Sequence, residues 1–212
     1  MRHKSRIQNL KSKMTKVVGL SGGIASGKTT VAQMLEALGA AGINADEIAH
    51  KVLKRRDVLR RIVRRWGREI LKSDGSLDRR KLGAAVFADP KDLRALEAIT
   101  HPAILREIKA RIREYSADKA PLIVLDAPLL NEAHLEHVCD AQVFIVAKVA
   151  QRCARSARER RWTRKDLARR ESQQMALDEK RRRAAYVIDN SGTRSATRAQ
   201  VRALWKTLVP GS

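Results

Sequence analysis

Residues 16–35 read KVVGLSGGIASGKTTVAQML, and this stretch decides the fold. Val17, Val18 and Leu20 form an apolar run before a glycine-rich turn, and Val31, Met34, Leu35 and Leu38 recur at helical spacing after it. Between them Gly22, four residues, then Gly27, Lys28 and Thr29 give the strand–GxxxxGK[ST]–helix spacing of a phosphate-binding loop. The chemistry follows from the residue types. Gly22, Gly23 and Gly27 let the backbone turn tightly, so that successive N–H groups and the new helix N-terminus point at phosphate oxygens. Lys28 brings a point charge to the β and γ phosphates, and the Thr29 hydroxyl suits Mg²⁺. Gly23, Ala25, Ser26, Gly27, Lys28, Thr29 and Thr30 are therefore the expected cradle of a nucleoside triphosphate.

Outward from the loop the pattern alternates. Strand 16–21 and helix 27–39 are followed by Gly39 and Gly42, which introduce a short strand around 42–45 ending at Asp46. From Glu47 to Tyr115 the periodicity is helical, with turns marked by Gly67, Asp74-Gly75, Asp89-Pro90 and His101-Pro102. LIVLD, ending at Asp126, and AQVFIVA (141–147) are apolar runs of the buried parallel type. Residues 151–183 predict one or two basic helices broken near Trp162-Thr163, YVIDN (186–190) a last short strand, and 194–208 a closing helix with Val201, Leu204, Trp205 and Leu208 on one face. The sum is an α/β fold of the three-layer P-loop type, a mostly parallel doubly wound sheet carrying a helical insertion and a basic helical lid. Its expected parts are a disordered basic tail (1–13, with Met14 a natural start), a nucleotide-binding core (14–48, 121–150 and 184–212), a helical substrate domain (49–120) and a lid (151–183).

Composition limits the function. The 212 residues carry a formal charge of +22, and its distribution is uneven. Residues 1–16 hold six Lys and Arg and no acid, residues 51–81 thirteen against four acids, and residues 152–183 thirteen against five, which leaves the rest near neutral. Such segments suit either nucleic acid or highly anionic small molecules. Aromatic residues make up 3% of the chain, too few for a stacking-based RNA reader. No NKxD-like guanine motif supports a GTP switch. No apolar run is long enough to span a bilayer and no secretory signal opens the chain, so a cytosolic location is expected. Cys139 and Cys153 lack CxxC spacing or nearby ligands, which argues against a disulfide framework or a zinc site.

In doubly wound sheets ligands bind beyond the carboxyl ends of the strands, where Asp46, Asp126 and Asp189 fall. Asp126 is placed to steady Mg²⁺ opposite the loop, or to cap its strand. Asp46 is placed to accept a hydroxyl proton in phosphoryl transfer, or to cap the next helix.

GLSGGIASGKTTVA, NADEIAH, DGSLDRRKL, THP, APLLNE and YVIDNSG occur in the order and spacing of dephospho-coenzyme A kinases, and the chain resembles that family from residue 16 to about 208. The resemblance implies transfer of the ATP γ-phosphate to the 3′-hydroxyl of dephospho-coenzyme A, the last step of coenzyme A synthesis, with Mg²⁺, by a monomer or weak homo-oligomer. It implies Asp46 as general base, Arg80 and His101 in the coenzyme A domain, and Leu129, Leu130 and Glu132 beside the acceptor pocket. It also implies Arg155 and Arg160 as phosphate-gripping lid arginines, and Asn190, Ser191 and Gly192 in the loop against adenine. A nucleic-acid-binding P-loop protein is the competing reading.

The chain departs from the family pattern at named positions. Asn44 stands where a first Asp is usual, Asp126 where an apolar residue is frequent, Asn131 where a bulky apolar residue precedes Glu132, and Tyr186 where an acid is frequent. Ala25 replaces a common loop glycine, which is expected to require a negative φ there.

Overall fold

The structure is a computed structural model that describes residues 15–210. The basic tail and Met14 lie outside the described residues. The chain divides into two compact units, one comprising the described residues up to Asn44 and those from Arg111 onward, the other Ala45–Ala110.

In the first unit, strands β1 (Lys16–Gly22), β2 (Ala41–Asn44), β3 (Leu122–Asp126), β4 (Ala141–Val146) and β5 (Tyr186–Asp189) form a parallel sheet in the order β2-β3-β1-β4-β5. β1 is central because every residue after Lys16 is apolar or small, and all seven are buried. The register sets Leu20 beside Asp126 and Val143, and Asn44 beside Asp126, so the strand ends that carry chemistry are level. Helix α1 (Lys28–Glu36) follows the loop, and three residues of turn replace the expected continuation to 39.

Val31 and Leu35 of α1 pack with Val18, Leu20, Leu122, Val124, Val143 and Ile145 of the sheet and with Val201 and Trp205 of the closing helix. Each fully buried aliphatic side chain here contributes about 1.5–3 kcal/mol. At the opposite end of the sheet from the loop, Lys16 Nζ donates to the Leu208 carbonyl at 2.8 Å, satisfying one of the last acceptors of that helix.

The basic segment forms three helices, where one or two were expected: α6 (Val149–Arg160), α7 (Arg164–Glu171) and α8 (Leu177–Arg183). α6 stops because Arg161 turns left-handed at φ 56°, and α7 starts on a capping box in which Thr163 and Asp166 bond reciprocally. The closing helix α9 (Arg194–Leu208) begins on Thr193, whose side chain accepts from the Ala196 N–H.

The second unit is helical, with α2 (Ala45–Leu53), α3 (Arg56–Trp66), α4 (Arg79–Ala88) and most of α5 (Pro90–Ala117), plus an isolated bridge between Leu71 and Leu77. Asp78 caps α4, accepting from the N–H groups of Arg80 and Lys81. Asp89-Pro90 is a break, as expected. His101-Pro102 is not: α5 runs through Pro102. An internal proline removes one helix bond and costs about 3 kcal/mol. Here Ile99, Thr100, Ala103 and Ile108 of the same helix are buried, so packing outweighs the local signal. Among the described residues, no helix is long and apolar enough to cross a membrane.

Candidate active site

The loop between β1 and α1 owes its shape to three left-handed residues. Gly22 has φ 146°, and a Cβ there would press within 2.6 Å of the Ile145 carbonyl. Gly27 has φ 95°, and a Cβ there would collide with the Asn190 amide. Ala25 corrects the expectation of a negative φ, since it sits at φ 56°. An L-residue in that region costs roughly 1–2 kcal/mol, so the loop's outer contacts must hold Ala25 there.

Those contacts are specific. Arg155 of α6 donates through Nη1 to the carbonyls of Ala25 (3.3 Å) and Ser26 (3.2 Å) and through Nη2 to the Asn190 carbonyl (3.0 Å). Asn190 Nδ2 donates to the Ser26 carbonyl at 2.8 Å. Glu171 Oε1 accepts from the Ile24 N–H at 3.1 Å and pairs with Arg152, which is buried. The Arg152 head lies against Gly23, where a Cβ would come within 2.7 Å of Nη1. Ser26 is fully buried.

Inside the loop, Lys28 curls back so that Nζ donates to the carbonyls of Gly22 (3.2 Å) and Gly23 (3.0 Å). This places a buried ammonium where phosphate oxygens are expected. Thr29 Oγ1 donates to Asp126 Oδ2 at 2.8 Å, joining α1 to the end of β3. Among the described residues no group of three or more His, Cys, Asp or Glu is arranged to hold a metal ion. A hydroxyl and a carboxylate do fit a hard cation that keeps water and phosphate oxygens as its other ligands. Thr30 is half-buried one residue further along the helix.

The remaining expected residues fall into different settings. Arg160 is exposed, and its guanidinium lies 4.9 Å from the centre of the Trp162 ring, which Arg170 also covers at 4.1 Å. The structure thus brings Arg155 to the loop and sends Arg160 to Trp162. Glu132 Oε1 accepts from Lys180 Nζ and the Met175 N–H at 2.8 and 2.9 Å, which ties it to α8 and the turn before it. Lys180 is almost fully buried by that arrangement. Leu129 is exposed and Leu130 buried beside Gly19. Asp189 Oδ1 accepts from the Ser191 N–H at 2.8 Å, and bonding to Ser191 holds its carboxyl below the usual carboxylate range. Gly192 is exposed in the loop before α9. In the second unit, Asp46 is exposed in the first turn of α2, Arg80 is exposed in that of α4, and His101 is half-buried in α5.

Residues 16–195 match the family model described as dephospho-CoA kinase. The chain is a member of the dephospho-CoA kinase family. It is 43% identical over 92% of its length to a dephospho-CoA kinase of Symbiobacterium thermophilum, covering 82% of that protein. It is 45% identical over 91% of its length to one from Geobacter metallireducens, covering 96% of it. The fold superposes on a crystal structure of TT1252 from Thermus thermophilus with a TM-score of 0.78 and 32% identity, covering 93% of this chain and 98% of that one. These relatives give the nucleic-acid reading of the charge no support.

Within this family frame, the sequence missed residues that shape the loop from outside. Arg152 lies one helical turn before Arg155 on α6, so the spacing of the two arginines was a usable signal. Glu171 and Lys180 act through contacts distant in sequence and Thr197 through Asn190, whose bond to the loop is distant, so none leaves a local pattern.

Proposed function

We propose that this chain catalyses ATP-dependent phosphorylation of the 3′-hydroxyl of dephospho-coenzyme A, giving coenzyme A and ADP. The observation that carries the reading is the Lys28 ammonium folded into the loop beside Gly22 and Gly23, in a chain of the dephospho-CoA kinase family. Loop amides and Lys28 bind the β and γ phosphates, and Arg155 lies close enough to add charge when its carbonyl bonds are exchanged for phosphate oxygens. The ribose oxygen attacks the γ-phosphorus as the bond from that phosphorus to the β,γ-bridging oxygen breaks. ADP leaves with the bonding electrons, and the hydroxyl proton passes to the Asp46 carboxylate. Mg²⁺, held through Thr29 and Asp126, supplies neutralisation of phosphate charge when bound.

Residues 49–120 serve as the coenzyme A domain, with Arg80 and His101 contributing there, and Leu129 and Glu132 border the acceptor. Residues 151–183 form the lid, whose closure excludes water that would otherwise hydrolyse ATP. ADP release measured with ATP plus dephospho-coenzyme A, against ATP plus adenosine, AMP or shikimate, tests the reading. Turnover confined to dephospho-coenzyme A is the expected result, and equal or greater turnover with another acceptor overturns it.

A further inference from the structure

Asn190 was expected in the loop against adenine, yet both ends of its side chain are engaged elsewhere. Nδ2 donates to the Ser26 carbonyl at 2.8 Å and Oδ1 accepts from Thr197 Oγ1 at 3.0 Å, with Asn190 and Thr197 both buried. A carbonyl can only accept, so the Ser26 oxygen requires the amide to present its NH₂. The opposite oxygen then needs a donor, and the Thr197 hydroxyl supplies it, Asn190 Oδ1 being the nearer of its two acceptors, with the Thr193 carbonyl at 3.3 Å. The Asn190 backbone is equally fixed, its N–H on the Val146 carbonyl at 2.8 Å and its carbonyl under Arg155.

The consequence lies in the loop. The Ser26 carbonyl receives both Asn190 Nδ2 and Arg155 Nη1, which directs it outward from the loop. In a trans peptide the next N–H points the opposite way, so the Gly27 N–H is turned inward. It has no hydrogen-bond partner among the described residues. The amide sits so close that only glycine fits at 27, which explains that residue by contact as well as by its φ of 95°.

We infer that Thr197 is a positioning residue for the triphosphate: by orienting the Asn190 amide it fixes the Ser26–Gly27 peptide and presents the Gly27 N–H to phosphate. The inference rests on the reading of this loop as the ATP site. It assigns Asn190 to the phosphates and not to the base, and it gives α9 a part in nucleotide binding.

Calorimetric titration of the full chain with ATP and with inorganic tripolyphosphate tests it, on wild type, Thr197→Val, Thr197→Ser and Lys28→Ala. Thr197→Val is expected to weaken both ligands by the same factor, about five- to tenfold, and Thr197→Ser, which keeps the donor, to stay within about twofold of wild type. Loss of ATP affinity with tripolyphosphate unchanged assigns the pair to adenine and overturns the inference, as does no loss for either ligand. If Thr197→Val does not fold, Asn190→Ala makes the same comparison with the same parallel loss expected. Lys28→Ala separates the two levels. Tripolyphosphate binding that survives Lys28→Ala removes the phosphate site and the inference with it, whereas binding lost in Lys28→Ala but intact in Thr197→Val leaves the site standing and removes Thr197 from it.

Discussion

The Thr29 hydroxyl donates to the Asp126 carboxylate at 2.8 Å, so the helix that begins at the phosphate loop is bonded to the end of the neighbouring strand. The bond gives the acid at 126 a defined task. Asp126→Ala is expected to raise the Mg²⁺ concentration for half-maximal turnover about 10–100-fold, the usual effect of losing a group that orients a metal ligand. A Mg²⁺ titration of initial rates checks this, and an unchanged midpoint removes Asp126 from the cation's surroundings.

Asp46 is exposed in the first turn of α2, where its carboxylate is accessible. Asp46→Asn should lower turnover by about 10²–10⁴, the range for a general base, with ATP affinity held near wild type. Steady-state kinetics and nucleotide titration on one preparation decide it. Turnover within about threefold of wild type would dismiss Asp46 as the base.

Arg155 and Arg160 should behave differently, because the first reaches three carbonyls of the nucleotide loop region and the second stacks on Trp162. Arg155→Ala is expected to raise the KM for ATP by about tenfold or more. An exposed cation–π contact contributes about 0.5–1 kcal/mol, so Arg160→Ala should leave the KM within about threefold. If Arg160→Ala proves the more damaging change, the phosphate grip belongs to the end of α6.

Ala25 occupies a left-handed conformation that glycine adopts freely. Ala25→Gly should stabilise the folded chain by about 1 kcal/mol, the relief of strain exceeding the added freedom of the unfolded chain. That corresponds to a rise in Tm of roughly 2–4 °C for a chain of this size, readable by thermal denaturation.

Asp189 is held below its ordinary range by Ser191. Because its folded value is depressed, the stabilisation is complete above the unfolded carboxylate pKa of about 3.9 and fades as pH falls through the folded value. Asp189→Asn is therefore expected to reduce the steepness of acid unfolding below about pH 4 and to leave the slope of stability against pH near neutrality unchanged. Denaturant midpoints measured across that range supply the comparison.

The α/β fold was legible because its cues are local: Gly22 to Thr29 fix the loop, and LIVLD and AQVFIVA announce strands by composition. Two local cues misled. Pro102 suggested a turn and is carried inside α5 by the burial of its neighbours, and Ala25 suggested a negative φ and is held at a positive one by Arg155 and its partners. The inner face of the site, Lys28 and Thr29, could be named from spacing alone. Its outer face could not, because Glu171 and Asn190 meet the loop only after the sheet has brought segments more than a hundred residues apart together, and Thr197 acts there through Asn190.

The Lys16–Leu208 bond joins the first residue of β1 to the last of α9. In a parallel sheet that junction lies at the amino edge, the length of β1 away from the phosphate loop. The described fold is thus closed on itself at the end remote from chemistry. A peptide linker could join the segments that flank this bond, with new termini opened in a surface turn. An affinity tag or a surface tether attached at either side of that junction would leave the molecule presenting its catalytic edge outward.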